Sequence, residues 1–127
     1  MHVLFVEDDP MNRAVVRDML TTVEVSMDEA VDAETGLAMV DAVAYDAILM
    51  DLRMPGMDGL TAIQHIRART DARARTPIIV VTADTASDLH ARCRSMGADH
   101  VLGKPVIMDR LFDTLSHVID SDSATLG

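Results

Sequence analysis

Aromatic residues are scarce in this chain, at 2% of its length, and Trp is absent. Its core therefore has to be assembled from Val, Leu, Ile, Ala and ten Met. The one cysteine, Cys93, excludes an intrachain disulfide, argues against a zinc cluster and points to the cytoplasm as the natural compartment. No apolar run approaches the roughly 20 residues needed to span a bilayer. The N-terminus runs straight into a strand pattern, without the features of a signal peptide. Positive charge is also in short supply. A net charge of −10 argues against general nucleic-acid binding, DNA included, and against an anionic membrane surface. Lysine occurs once, at Lys104.

What is present suits one globular domain: 127 residues, 49% of them hydrophobic, with no internal repeat or linker. The apolar run 47–50 reads as a buried strand that stops at Asp51. Pro55, Gly56 and Gly59 then impose a shaped loop before a helix that begins near Asp58. Asp51 is therefore expected at the C-terminal edge of its strand, where open α/β sheets build their sites. A second strand, 3–6, runs into Glu7, Asp8, Asp9 and Pro10, and the Asp9–Pro10 pair has the form of a helix start. Val15, Val16, Met19 and Leu20 give that helix an apolar face.

Farther along, 25–30 reads as an edge strand with Val25 and Met27 inward, and 33–43 as a helix. Residues 59–68 are helical on Leu60, Ile63 and Ile66. Residues 77–81, the most β-branched run, form a central strand that ends at Thr82. A helix over 88–96 stops at Gly97, a short strand covers Val101 and Leu102, and a last helix covers 107–119. Five strands alternating with five helices predict an α/β fold with a parallel sheet covered on both faces. The domain is expected over 1–120, followed by a disordered tail over 121–127.

In such a sheet Glu7, Asp8, Asp51, Thr82 and Lys104 converge on one edge although they lie up to about 100 positions apart. Clustered carboxylates repel by about 4 kcal/mol per pair at 4 Å and an effective dielectric of 20, so they call for a cation. An all-oxygen set suits Mg²⁺ or Mn²⁺, held by Asp8 and Asp51 and oriented through Glu7. The chemistry these parts support is phosphoryl transfer onto Asp51, with Thr82 and Lys104 meeting the phosphoryl oxygens.

The segments 5–9, 50–59, 80–83 and 103–105, which read FVEDD, MDLRMPGMDG, VVTA and GKP, resemble the receiver domain of two-component response regulators over essentially the whole chain. That resemblance implies a doubly wound, five-stranded (βα)5 sheet of flavodoxin type, and Asp51 as phosphoacceptor from a histidine kinase or a histidine phosphotransfer protein. It makes Asp8, Asp51 and the backbone carbonyl of Arg53 the metal ligands, with Glu7 outside them. Thr82, Lys104 and the backbone amide of Ala83 become the phosphate-binding and switch groups. A downstream protein partner is expected on the face near the fourth helix, fifth strand and fifth helix, and the family leaves room for a weak homodimer. Where the family often carries Tyr or Phe, this chain has Val101. Switching is then expected to rest on Thr82 and residues 83–88, with neighbouring His100 read as a solvated loop residue.

Arg53 and Asp84 are expected to flank the cleft mouth, pair, and set the lifetime of the acyl phosphate. Arg67, Arg69, Arg73 and Arg75 read as a polar loop, and as a basic patch they would suit an anionic ligand or acidic surface. The chain is not expected to be an enzyme beyond its own phosphorylation and dephosphorylation. A Mg²⁺-dependent aspartyl phosphatase would usually carry a second aspartate where Arg53 stands. A degenerate receiver acting as a constitutive binding module is the remaining class. Met1 next to the first strand favours a stand-alone protein over a receiver excised from a hybrid histidine kinase.

Overall fold

The computed structural model describes residues 1–84 and 86–126, with side chains as far as residue 119. Five strands, β1 (His2–Val6), β2 (Ser26–Ala30), β3 (Ala47–Asp51), β4 (Ile78–Thr82) and β5 (His100–Gly103), form one sheet in the order β2-β1-β3-β4-β5. Every pairing is parallel. Between them run α1 (Pro10–Thr21), α2 (Ala33–Ala42), α3 (Gly59–Arg67) and α4 (Leu89–Met96), and α5 (Met108–Leu126) closes the chain.

Strand side chains alternate between two cores, as a period of two requires. Leu4, Val6, Ile48, Met50, Ile78 and Val80 face α2, α3 and α4. Val3, Phe5, Leu49, Ile79 and Val81 face α1 and α5. β1, β3 and β4 are covered on both faces, which is why they read as unbroken apolar runs. β2, at the edge, keeps its polar residues partly open, and Val25 and Met27 pack inward as expected.

Three of the helices start on an aspartate whose side chain accepts a backbone N–H: Asp9 from Met11, Asp32 from Thr35 and Asp58 from Thr61. Part of the acidity of the chain is thus spent on helix starts. Val15, counted inward from its spacing, is 43% exposed. The packing stripe of α1 runs through Val16 and Leu20, and Val15 lies with exposed Met11, four residues earlier, on the next stripe.

α5 continues to Leu126, past the end expected at 119 and through most of the tail assigned to 121–127; Gly127 lies outside the described residues. No Gly or Pro interrupts residues 108–126, so nothing in the chain stops the helix. Among the described residues no helix is long and apolar enough to cross a membrane.

Strand order reverses between β1 and β3: the chain leaves β1 for β2 on one side and returns as β3 on the other. A crevice therefore opens at the C-terminal ends of these two strands. Gly59 sets its floor, because a Cβ there would stand 2.3 Å from the backbone O of Asp51. Only glycine lets α3 begin this close to the end of β3.

Candidate phosphoryl-transfer site

Glu7 and Asp8 follow β1 directly, Asp51 is the last residue of β3, Thr82 the last of β4, and Lys104 follows β5. Register holds these ends level, with Val6 opposite Met50, Asp51 opposite Val81 and Thr82 opposite Gly103. Glu7, Asp8 and Asp51 each bring a carboxylate oxygen within 4.8 Å of the other two. Glu7 is fully buried and Asp51 is 4% exposed, whereas Asp8 is open to solvent.

Lys104 balances the buried pair. Its Nζ donates to Glu7 Oε1 at 2.8 Å and lies 3.4 Å from Asp51 Oδ1. Burial alone would pull the lysine pKa down, but the two carboxylates hold it above its ordinary value. Glu7 is affected in the opposite sense: burial first, and then the Asp51 carboxylate, push it from 4.5 up to about 7 against the pull of Lys104 and Asn12. Glu7 Oε2 is buried and has no hydrogen-bond partner among the described residues. An orphaned carboxylate oxygen beside two further carboxylates is a donor set suited to a hard divalent cation, so the residues present fit the metal their types imply.

Around the cleft, Arg53 N donates to Asp51 Oδ1 at 3.4 Å, and Thr82 Oγ1 accepts from Asp84 N at 3.1 Å. Arg53 and Asp84 pair as expected, Nη2 to Oδ2 at 3.2 Å. The N–H of Ala86, followed by the Arg53 guanidinium, holds the Asp84 carboxyl below its usual range. Ala83 is exposed at the same rim. Thr85, within the 83–88 segment, lies outside the described residues.

Two residues beside the site were not picked out from the sequence. Asn12 Nδ2 donates to Glu7 Oε1 at 2.7 Å, and Arg13 Nη1 donates to the Glu7 backbone O at 2.8 Å. The available signal was position: both belong to the first turn of the helix that follows the acidic triplet.

Val101 packs on the α2–α4 side of the sheet. His100 is not a solvated loop residue, because it belongs to β5 and is partly buried. Alternation points it the other way from Val101, toward α5, where its ring meets His117 edge-on at 5.1 Å. Burial, His117 and Arg94 lower its pKa, with Asp99 opposing.

Nor do the four arginines form one open patch. Arg67 ends α3 and donates to the carbonyls of Gly97, Ala74 and Thr76 at 2.7–2.8 Å and to Asp99 at 2.9 Å. Arg69 pairs with Asp41 and Asp71, and Arg73 donates to the Asp41 carbonyl at 3.0 Å. The stretch around Arg73 and Arg75 is a 3₁₀ turn (Ala72–Arg75) rather than a loose loop. Carboxylates and carbonyls of the chain itself thus already engage three of the four.

The family described as the response regulator receiver domain matches residues 3–116. Sensor histidine kinase AruS of Pseudomonas aeruginosa is 38% identical over 119 residues, covering 93% of this chain and 12% of its own length. Sensor histidine kinase RcsC of Salmonella typhi is 34% identical over 116 residues, with 91% and 12% covered. The chain therefore spans about an eighth of the sensor kinases it matches. Transcriptional regulatory protein TcrA of Mycobacterium tuberculosis is 33% identical over 115 residues, 91% of this chain and 44% of that protein. Among solved structures, the receiver domain of sensor histidine kinase PA1611 from Pseudomonas aeruginosa, with a magnesium ion coordinated in its active-site cleft, superposes with a TM-score of 0.85 at 33% identity. That match covers 94% of this chain and 97% of the other. Chemotaxis protein CheY4 of Vibrio cholerae gives the same TM-score at 28% identity, over 92% and 97%.

The shifted Glu7 makes stability depend on pH when no metal is bound. A carboxyl whose folded pKa is about 7, against 4.5 ordinarily, favours the folded state on the acid side, and that contribution is lost as pH rises through about 7. Urea unfolding in EDTA from about pH 5 to about pH 8 should therefore show the wild-type midpoint falling. Glu7→Gln, neutral throughout, should fall less and exceed wild type at the alkaline end. Parallel pH dependences for the two proteins would remove Glu7 from this role.

Proposed function

This chain belongs to the response regulator receiver domain family, and from that premise we propose that Asp51 is its phosphoacceptor in a histidine-to-aspartate relay. The observation that carries the reading is the cluster of the Glu7, Asp8 and Asp51 carboxylates at the sheet edge, two of which, Glu7 and Asp51, share one lysine. A lone pair of the Asp51 carboxylate forms the new O–P bond as the bond from phosphorus to the donor breaks. With a phosphohistidine donor, the P–N electron pair stays on the imidazole nitrogen. No general base is needed, because the carboxylate is already the nucleophile.

Asp8, Asp51 and the carbonyl of Arg53 would hold a magnesium ion, with Glu7 outside them. When bound, such an ion supplies positive charge against the phosphoryl oxygens. Lys104, the Thr82 hydroxyl and the Ala83 amide would meet those oxygens. The phosphodonor is a histidine kinase or a histidine phosphotransfer protein. The output is protein binding on the face near α4, β5 and α5, and the domain does no chemistry beyond its own phosphorylation and dephosphorylation. With Val101 in place of an aromatic, the change at Asp51 reaches that face through Thr82 and residues 83–88. The sensor-kinase relatives, of which the chain spans about an eighth, support a second setting for the same chemistry, a receiver inside a larger hybrid kinase.

Incubation with acetyl phosphate and Mg²⁺ is expected to add one labile phosphoryl group by intact-protein mass, while Asp51→Asn and an EDTA-treated sample gain none. Failure of wild type with both acetyl phosphate and a phosphorylated histidine donor would sink the reading and leave a constitutive binding module.

The Arg53–Asp84 pair lies across the cleft mouth, where it limits the approach of water to the acyl phosphate. Arg53 is 81% exposed, so the effect is modest. Arg53→Ala and Asp84→Ala should each speed dephosphorylation by no more than about fivefold. Unchanged decay in both variants rules the pair out as a lifetime determinant.

A further inference from the structure

We infer that Asn12 is a positioning residue for phosphoryl transfer, holding Glu7 so that Lys104 is free to leave it for the phosphoryl group on Asp51. The inference rests on the phosphoacceptor reading of Asp51. Glu7 has two oxygens in unequal surroundings. Oε1 accepts from Asn12 Nδ2 at 2.7 Å and from Lys104 Nζ at 2.8 Å, while Oε2 has no hydrogen-bond partner among the described residues. Lys104 is shared in turn, with Asp51 Oδ1 3.4 Å from its Nζ.

Phosphorylation upsets this sharing. A phosphoryl group adds negative charge on the Asp51 side and draws the single ammonium toward it. A carboxylate as deeply buried as Glu7 then loses the Lys104 hydrogen bond on Oε1, and a buried acceptor left without a donor is unfavourable even with a metal ion in the neighbouring cluster. Asn12 supplies a donor that remains on Oε1 when Lys104 turns away. Because the amide is neutral, it does not compete with the phosphoryl group as Lys104 does.

The placement of Asn12 is built in. It lies in the first turn of α1, whose start is fixed by the Asp9 cap and by Pro10. The next residue, Arg13, donates to the Glu7 carbonyl at 2.8 Å and is held in turn by Glu29 at 3.2 Å. α1 therefore grips Glu7 by both its side chain and its backbone.

The test uses the full chain, with trifluoroberyllate as an analogue of the aspartyl phosphoryl group. Titration calorimetry measures Mg²⁺ alone, and then trifluoroberyllate at saturating Mg²⁺, for wild type, Asn12→Leu and Asn12→Gln. Asn12→Ala serves as the second variant lacking the donor should leucine prevent folding. The donor-less variant is expected to bind trifluoroberyllate about tenfold more weakly, the scale of one hydrogen bond to a charged group, with Mg²⁺ affinity changed less than about threefold. Asn12→Gln, which keeps an amide, should recover most of the loss. Unchanged trifluoroberyllate affinity, an equal loss for Mg²⁺ alone, or a Gln variant no better than the donor-less one overturns the inference. A wild type that does not bind trifluoroberyllate overturns the phosphoacceptor reading itself, and the role of Asn12 with it.

Discussion

One ammonium between two buried carboxylates is the constraint around which this fold is arranged. Lys104 is the only lysine of the chain, and it reaches both Glu7 and Asp51 from the loop after β5. Like charges packed this closely in a protein interior repel by several times what they would in water, so the cluster needs its cation. The sheet makes the meeting possible, since parallel pairing brings the ends of β1, β3, β4 and β5 to one edge whatever their separation in sequence. Gly59 contributes as much as any polar residue here. It lets α3 begin against the Asp51 backbone.

The elements that carry the site are fastened at several points. Near β1 the structure is fixed: Asp9 caps α1, Arg13 binds the Glu7 carbonyl, and Glu29 holds both Arg13 and Arg17. Beyond β4 the two ends of α4 are built differently. Asp88, before α4, makes no side-chain cap, whereas the far end of α4 closes on Gly97, whose carbonyl accepts from Arg67. Arg67 also ties down the starts of β4 and β5 through Thr76 and Asp99, since Asp99 accepts from Ile78 N as well. The far end of α4 and the starts of β4 and β5 are thus fastened together through Arg67.

Most of the site was legible from the sequence because it is encoded locally. Each residue of the cluster ends an apolar strand run or follows it within two positions, and parallel topology does the rest, so Glu7, Asp8, Asp51, Thr82 and Lys104 are expected together before their distances are known. Residues whose roles depend on side-chain direction were not legible. Asn12 and Arg13 look like ordinary first-turn polar residues until α1 is docked over Glu7. Spacing alone put Val15 on the inward face, but the contact stripe of a docked helix is narrower than its apolar stripe. His100 and Val101 are adjacent, yet the alternation of β5 sends them to opposite faces of the sheet. The arginine-rich stretch read as a basic patch because Asp41 and Asp99, which engage it, lie about 30 residues away in sequence. α5 runs past its expected end because a polar stretch without Gly or Pro does not by itself stop a helix.

The central claim is that this constellation directs a phosphoryl group to one carboxylate among three. Sodium borohydride reduces an aspartyl phosphate to homoserine, so the modified position can be read by peptide mass after phosphorylation and reduction. Homoserine is expected at position 51 and at no other aspartate. Reduction at position 8, a modified Glu7, or a phosphorylated protein that yields no homoserine at position 51 would contradict it.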